Sequence, residues 1–487
     1  MRDIRITLGK REEKLLEKKN KPYSIIFIGA FNIIIFITML VYISVYAYTH
    51  KVEMIDNSYN AHQALLKKQN TRGTIYSSDG KELAVTLTDE NGDEKRDYPF
   101  GKVFAHAVGF ATNGRSGLED LANYYLINSD ISLSQKAKAY DNGEKYPGNN
   151  VYSSLDTNLQ QTSYDALSAH KGAVIVTEVK TGRILAMVSK PDFDPNSIER
   201  DWDELTKDDG NTELLNRVSQ GLYPPGSTFK IITALEYYRE NHEAYKDFSF
   251  TCTGSFSNGS DTINCYHGEN HGKLDFTKAF AKSCNSAFAN ISLTLDKSSF
   301  NNTLKDLMFG DVIPWDMSAS VSNANCDENT SSGDMMQLAI GQGTDTISPL
   351  HLNMITMAIA NDGMLVKPRL IDSVVSAEGK VIKKYDTENY KRLLSVDEAD
   401  FLQQLMEEVV NSGTATRLKG LTYSAAGKTG SAEFMTSSSD SHAWFTGFAP
   451  CENPQIAVTI IVENAGSGGE FAVPIAKRIF DTYFGVD

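Results

Sequence analysis

The chain has 487 residues, 41% of them hydrophobic, and a formal net charge of −15. That length and apolar content allow more than one cored domain, while the acidic balance argues against a nucleic-acid binder, which needs a basic stripe. Five cysteines, an odd number, leave at least one thiol unpaired within a monomer.

The N-terminal tail carries Arg2, Arg5, Lys10, Arg11, Lys14, Lys18, Lys19 and Lys21 against Asp3, Glu12, Glu13 and Glu17. From Ser24 to Tyr48 the chain is charge-free and dense in Ile, Phe and Val, long enough to cross a bilayer. A cleaved signal peptide has a shorter apolar core and a small-residue cleavage site, and Tyr46-Ala47-Tyr48-Thr49-His50 supplies none. The span therefore reads as a single-pass signal anchor. Its positive flank places the tail in the cytoplasm and the remainder outside, with Tyr42, Tyr46 and Tyr48 as anchors at the outer interface. Four segments are expected: tail 1–23, span 24–48, a small domain of short strands and turns over 49–150, and a larger domain over 151–487.

Within the larger domain, Ala173-Val174-Ile175-Val176 and Ile184-Leu185-Ala186-Met187-Val188 read as paired strands. Lys180-Thr181-Gly182 forms the turn between them, Gly182 supplying its geometry. The breaker cluster Tyr223-Pro224-Pro225-Gly226 then precedes Ser227, and Phe229 to Glu236 is apolar enough for a buried helix. Ser227 thus sits at a helix N-terminus, where free N–H groups favour developing negative charge. Lys230 lies three residues on, along the same face. Its neighbours Phe229, Ile231 and Ile232 predict a desolvated ammonium with a lowered pKa, assisted by a second cation, Lys428.

Ser283-Cys284-Asn285 opens a further helical run, and Ser318 to Asp334 is polar enough to read as a solvated loop. Lys428-Thr429-Gly430-Ser431 begins an antiparallel meander continued by Ala443 to Phe448 and Ile456 to Val462. The last helix is expected over Val473 to Phe484. Ser227, Lys230, Ser283, Asn285 and Lys428 together supply a hydroxyl nucleophile, an amine one turn away, a hydroxyl–amide pair and a cationic strand. That set opens an amide bond through a covalent acyl-enzyme, with no cofactor and no metal. Other copies of these strings, Ser168 to Lys171, Ser58-Tyr59-Asn60 and Lys180-Thr181-Gly182, lack a matching context and read as structural.

Cys252 and Cys265 flank the Gly/Ser/Asn-rich segment Gly254 to Asn264. They are candidates to close a small external loop as a disulfide, a question left open by the unknown redox compartment. Cys265-Tyr266-His267 with His271 fits no zinc spacing, so these read as loop residues and no metal is expected.

The three motifs, with many ordered fragments between them, resemble the class B (monofunctional) penicillin-binding proteins, the D,D-transpeptidases that cross-link peptidoglycan. The likeness includes Thr181 to Met187, Pro191 to Asn196, His267-Gly268, Gly341-Gln342-Gly343, Ser348-Pro349-Leu350 and Ala360 to Gly363. Upstream, Arg72 to Tyr76, Gly80 to Ala84 and Ser116 to Glu119 resemble the family's non-catalytic pedestal. The resemblance implies an α/β fold of the α+β type, a central antiparallel sheet flanked by helices, behind a pedestal and one transmembrane helix.

By the same resemblance, Ser227 attacks the penultimate D-Ala carbonyl, Lys230 takes its proton and Ser283 relays a proton to the leaving amine. Asn285 holds Lys230 and a substrate amide. Lys428 and Thr429 bind the terminal carboxylate, with Gly430 permitting its close approach. The N–H groups of Ser227 and Ser431 form the oxyanion hole. The implied partners are stem peptides, β-lactams, the membrane and a polytopic glycan polymerase. The rival readings are a membrane-anchored serine β-lactamase or D,D-carboxypeptidase, and a non-catalytic scaffold or β-lactam sensor.

Overall fold

The computed structural model describes residues 2–50, 61–208, 210–433 and 441–486, in two compact units, Met1–Lys68 and Gln69–Asp487. The first contains helix α1 (Arg2–Thr49). Its stretch Tyr23–Thr49 has a mean hydropathy of 2.6 and none of it is buried in protein, the composition of a bilayer-spanning helix.

The second unit includes β1 (Ile75–Tyr76), β2 (Glu82–Thr88), β3 (Glu94–Asp97) and β4 (Asn150–Ser153). These join a six-stranded sheet completed by Ile371–Val375 and Val381–Lys384, the former pairing antiparallel with β4. The sheet thus draws strands from both sides of the boundary expected at residue 150, because its open β4 edge takes up a later hairpin. Its helical flank is tied on by a buried ion triad. Arg72 Nε and Arg96 Nε donate to the two carboxylate oxygens of Glu119 at 2.6 and 2.7 Å, and Glu119 is fully buried. Burial pushes the Glu119 pKa up, but the two guanidiniums outweigh it and hold the carboxyl below its ordinary value. The triad joins the fragments Arg72 to Tyr76 and Ser116 to Glu119, which the sequence shows only as separate strings.

Helix α2 (Thr157–Leu167), N-capped by Asp156, leads into the hairpin β5 (Gly172–Glu178) and β6 (Ile184–Lys190). Helices α3 (Lys230–Asn241), α4 (Asn285–Ser292), α5 (Pro349–Ala360) and α6 (Val396–Ser412) follow. Strands β7 (Ala426–Glu433), β8 (Ser441–Ala449) and β9 (Ile456–Val462) precede the last helix, α7 (Gly468–Phe484). The five-stranded sheet has the order β7-β8-β9-β5-β6, antiparallel throughout, as the meander and the hairpin predict.

Strands β8 and β9 are buried at every residue, so both faces of the sheet are covered. On one side α5 meets a buried polar ladder. Thr356 Oγ1 lies 2.6 Å from Thr446 Oγ1, which lies 2.7 Å from Thr459 Oγ1, and Thr177 Oγ1 donates to Asn353 Oδ1 at 2.8 Å. Each hydroxyl is satisfied, so the ladder fixes the register of helix on sheet without an orphaned polar group. Helices α2 and α7 pack on each other and on the sheet.

Two expectations change. The last helix starts at Gly468, earlier than Val473: the Ser467 carbonyl already accepts from the Glu470 and Phe471 N–H groups, and Pro474 is accommodated inside the helix. The polar segment Ser318 to Asp334 is not wholly solvated: Ser322, Ala324 and Cys326 are buried and Asn323 pairs with Thr346. Polar composition there conceals alternate inward-facing residues.

Candidate active site

The turn Gly226–Phe229 runs directly into α3, so Ser227 and Lys230 are presented on one face. Gly226 has φ +52, and a Cβ there would lie 2.8 Å from Ser431 O and 3.0 Å from Ala432 Cα. Only glycine adopts that conformation freely and lets the turn press against β7. Gly226 N–H donates to Gly341 O at 2.9 Å, and Trp444 Nε1 donates to Pro224 O at 3.0 Å. Ser227 is therefore braced from two sides.

Lys230 is fully buried. Its Nζ lies 2.9 Å from Ser227 Oγ, 2.7 Å from Ser283 O, 3.2 Å from Ser283 Oγ and 2.6 Å from Asn285 Oδ1. Burial lowers its pKa to about 7, so a neutral amine exists near neutral pH. Asn285 Nδ2 donates to Asn264 O at 2.9 Å. Ser283 takes a positive φ of 55, which turns its hydroxyl toward both lysines ahead of α4, whose N-cap is Cys284.

Lys428 Nζ donates to Ser283 Oγ at 2.8 Å and to Thr429 O at 3.0 Å. Its pKa is pulled well below the ordinary lysine value, first by burial and then by the charge on Lys230. Two lysine amines thus flank a single hydroxyl, and a proton on one disfavours a proton on the other. Burial, and not the charge of Lys428, is what lowers Lys230, and it is Lys428 that feels the second charge.

A cavity of about 520 Å³ opens over these groups. Ser227, Ser283, Asn285, Thr429 and Ser431 line it. Lys428 lies behind the wall with no exposed surface, so an anion in the cavity meets Thr429 and Ser431 directly and Lys428 through its charge. A Cβ at Gly430 would come 3.1 Å from Pro225 O and Thr228 Cγ2, so its bareness lets β7 pack against the turn that carries Ser227. Because β7 is the edge strand of its sheet, its outer backbone groups have no strand partner among the described residues and face that turn.

The structure adds Thr414 and Ser467 to the cavity wall, with the Thr414 and Thr429 hydroxyls hydrogen-bonded to each other. No local signal marks either in the sequence, since both stand in ordinary Gly-flanked turns. The other copies of the motifs lie elsewhere. Ser168 is exposed at the C-cap of α2, and Gly182 turns the β5–β6 hairpin with φ +71. Ser58-Tyr59-Asn60 lies outside the described residues. Beside the cavity, donor atoms of Cys252, Cys265, His271 and Cys284 all lie within 4.8 Å of one another, a grouping that linear spacing does not disclose.

The penicillin binding protein transpeptidase domain matches residues 172–481, and the penicillin binding protein A dimerisation domain matches residues 72–151. The peptidoglycan D,D-transpeptidase PbpA of Mycolicibacterium smegmatis is 31% identical over 438 residues, covering 83% of this chain and 87% of that protein. The peptidoglycan D,D-transpeptidase MrdA of Acinetobacter baumannii is 28% identical over 446 residues, covering 79% of this chain and 65% of that protein. Among solved structures, the penicillin G acyl-enzyme complex of penicillin-binding protein A from M. tuberculosis superposes with a TM-score of 0.76 at 27% identity, covering 85% of this chain and all of that one. The D,D-transpeptidase domain of a peptidoglycan glycosyltransferase from Eggerthella lenta gives 0.77 at 28% identity, covering 86% and 99%.

Proposed function

This chain belongs to the class B penicillin-binding proteins, and on that premise we propose that Ser227 is its nucleophile and Lys230 the base that activates it. The protein is a peptidoglycan D,D-transpeptidase that cross-links stem peptides through a serine acyl-enzyme with release of terminal D-Ala, and it binds β-lactams. The observation that carries the residue assignment is the 2.9 Å approach of the buried Lys230 Nζ to Ser227 Oγ.

Neutral Lys230 takes the Ser227 proton as Oγ attacks the penultimate D-Ala carbonyl. The oxyanion is received by the N–H groups of Ser227 and Ser431. When the tetrahedral intermediate collapses, the C–N bond breaks and the departing D-Ala amine takes a proton through Ser283, which touches both lysines. Asn285 holds Lys230 and a substrate amide. The terminal carboxylate sits on Thr429 and Ser431, and its negative charge favours the proton on Lys428. A second stem peptide's amine then attacks the ester and restores Ser227. A β-lactam follows the same first step and leaves a slowly hydrolysed ester.

The apolar helix α1 anchors the protein in a membrane. The basic excess before the span supports a cytoplasmic tail and an extracytoplasmic catalytic domain. The expected segments, 49–150 as pedestal and 151–487 as transpeptidase domain, are supported by the family matches, with strands Ile371–Val375 and Val381–Lys384 lent to the pedestal sheet. A membrane-embedded glycan polymerase is the partner this arrangement calls for, since the strands to be joined must be delivered at the membrane face.

The test is intact-mass and fluorescent-penicillin labelling of the full-length protein in detergent. Wild type is expected to form a stable one-to-one adduct and Ser227→Ala none. An adduct retained by Ser227→Ala overturns the nucleophile. Rapid release of hydrolysed drug by wild type would instead mark a β-lactamase.

A further inference from the structure

We propose that a second cavity, lined by Asp334 and Asp345, is a subsite for a primary ammonium group, the amine that the acceptor stem peptide brings to the acyl-enzyme. The subsite presupposes the transpeptidase reaction above and supplies the place where its second substrate is recruited.

The cavity has a volume of about 310 Å³. It is lined by Asp334 and Gln337 of the helix Ser332–Ala339, by Asn325 and Thr330, and by the stretch Gln342 to Asp345. Gln337 and Gln342 also line the catalytic cavity, so the two cavities share these side chains. Gly341 O accepts from Gly226 N–H at 2.9 Å, which fastens the start of the stretch to the turn carrying Ser227. Its far end is fixed as well, because Asn323 and Thr346 exchange two N–H···O bonds of 2.8 Å each. Asp345 therefore stands on braced backbone close to the nucleophile's turn.

Asp345 is only 4% exposed, yet its Oδ2 has no hydrogen-bond partner among the described residues. Burial alone lifts its pKa, to about 8, with no neighbouring cation to offset the effect. A buried carboxyl without a donor is costly to retain, and a cation entering the cavity satisfies it. An ammonium brings three N–H donors and the missing charge. The carboxyl then ionises, its proton passes to solvent, and a charge-assisted hydrogen bond forms. No Lys, Arg or His is among the described residues lining the cavity, while Asp334 adds a second carboxyl group. An anionic group is therefore disfavoured there. Asn325, Thr330, Gln337 and Gln342 offer side-chain oxygens to the remaining N–H groups of an ammonium.

Cross-linking needs a free amine at the Ser227 ester, and this cavity holds its parent ammonium beside the wall that the two cavities share. Capture there brings the acceptor close to the ester and takes no part in bond making. Asp345 is thus a specificity-determining residue for the acceptor, with no contact to the donor.

The test uses full-length protein in detergent, a chromogenic thioester as donor, and two N-terminally blocked stem tetrapeptides as acceptors, one bearing lysine and one diaminopimelate. Each acceptor is also prepared with its side-chain amine acetylated. The ratio of cross-linked to hydrolysed product against acceptor concentration gives the acceptor KM and the rate at saturation. Asp345→Asn should raise the acceptor KM by about tenfold or more, with a much smaller change in the rate at saturation. The acetylated peptides should compete weakly with the free amines on wild type. An unchanged acceptor KM in Asp345→Asn overturns the subsite, as does a loss confined to the rate at saturation, or equal competition by the acetylated peptides. If Asp345→Asn fails to fold, the competition on wild type decides. Fluorescent-penicillin labelling of the same samples separates the two readings. Wild type that labels, with an acceptor KM that Asp345→Asn leaves unmoved, sinks the subsite alone, whereas wild type that does not label sinks the Ser227 assignment on which the subsite rests.

Discussion

Lys230 Nζ and Ser283 Oγ stand 3.2 Å apart, and the same hydroxyl receives Lys428 Nζ at 2.8 Å, so one serine bridges two fully buried lysines. This bridge makes the acid–base chemistry of the site a property of three residues, and it sets the pH behaviour.

With its pKa brought down to about 7 by burial, Lys230 is a competent base above that value and an inert ammonium below it. The second-order rate constant for acylation by a penicillin should therefore rise with pH through about 7 and level off above, losing about tenfold per pH unit on the acid side. Stopped-flow acylation across that range checks this, and a flat profile would contradict Lys230 as base. Lys230→Arg, which cannot deprotonate, should slow acylation by about 10²–10⁴-fold.

Asn285 Oδ1 is the nearest partner of Lys230 Nζ, at 2.6 Å. Asn285→Ala should release the amine from its alignment and slow acylation by about 10²-fold. Asn285→Asp places a carboxylate there, which favours the ammonium. Its pH–rate profile should move to higher pH than wild type, an outcome that loss of packing alone does not produce.

At Gly226, φ is +52 and the space for a Cβ is taken by Ser431 O. Gly226→Ala adds left-handed strain of about 1–2 kcal/mol and forces the nucleophile's turn off the edge strand. The melting temperature should fall modestly and acylation should fall much further. Unchanged acylation would show that the turn and β7 need not touch.

Glu119 pairs with both Arg72 and Arg96 in the buried triad. Glu119→Ala leaves two guanidiniums uncompensated and should destabilise by about 3–5 kcal/mol, while the protein that remains folded still acylates Ser227. The pH dependence follows from the lowered Glu119 pKa. Its stabilisation is present above the ordinary carboxylate range and is lost as pH falls through the lowered value. Thermal denaturation of wild type and Glu119→Gln as a function of pH reads this directly: the acid-induced loss should shrink in the variant.

Much of the fold was legible because its signals are local. The continuous apolar runs of β5 and β9, the turn at Gly182, the breaker cluster before Ser227 and the charge-free span each declare themselves within a few residues. So does the one-turn spacing of Ser227 and Lys230, since a helix converts that spacing into contact. The start of α7 and the partly buried segment after Ser318 were misread for the converse reason: the helix runs on either side of Pro474, and Cys326 is buried amid polar neighbours.

Sequence alone thus determined the family, the pairing of Ser227 with Lys230, the antiparallel meander and the long apolar helix, all features that neighbouring residues encode through periodicity, turn chemistry and composition. Only the tertiary structure placed Ser283 between two lysines, set Lys428 behind the cavity wall, gave Gly430 a packing partner in Pro225 and lent Ile371–Val375 to the pedestal sheet. It alone gathered the donor atoms of Cys252, Cys265, His271 and Cys284 within 4.8 Å of one another. Those contacts join residues far apart in the chain, so they arise from how the whole core closes, which no local propensity encodes.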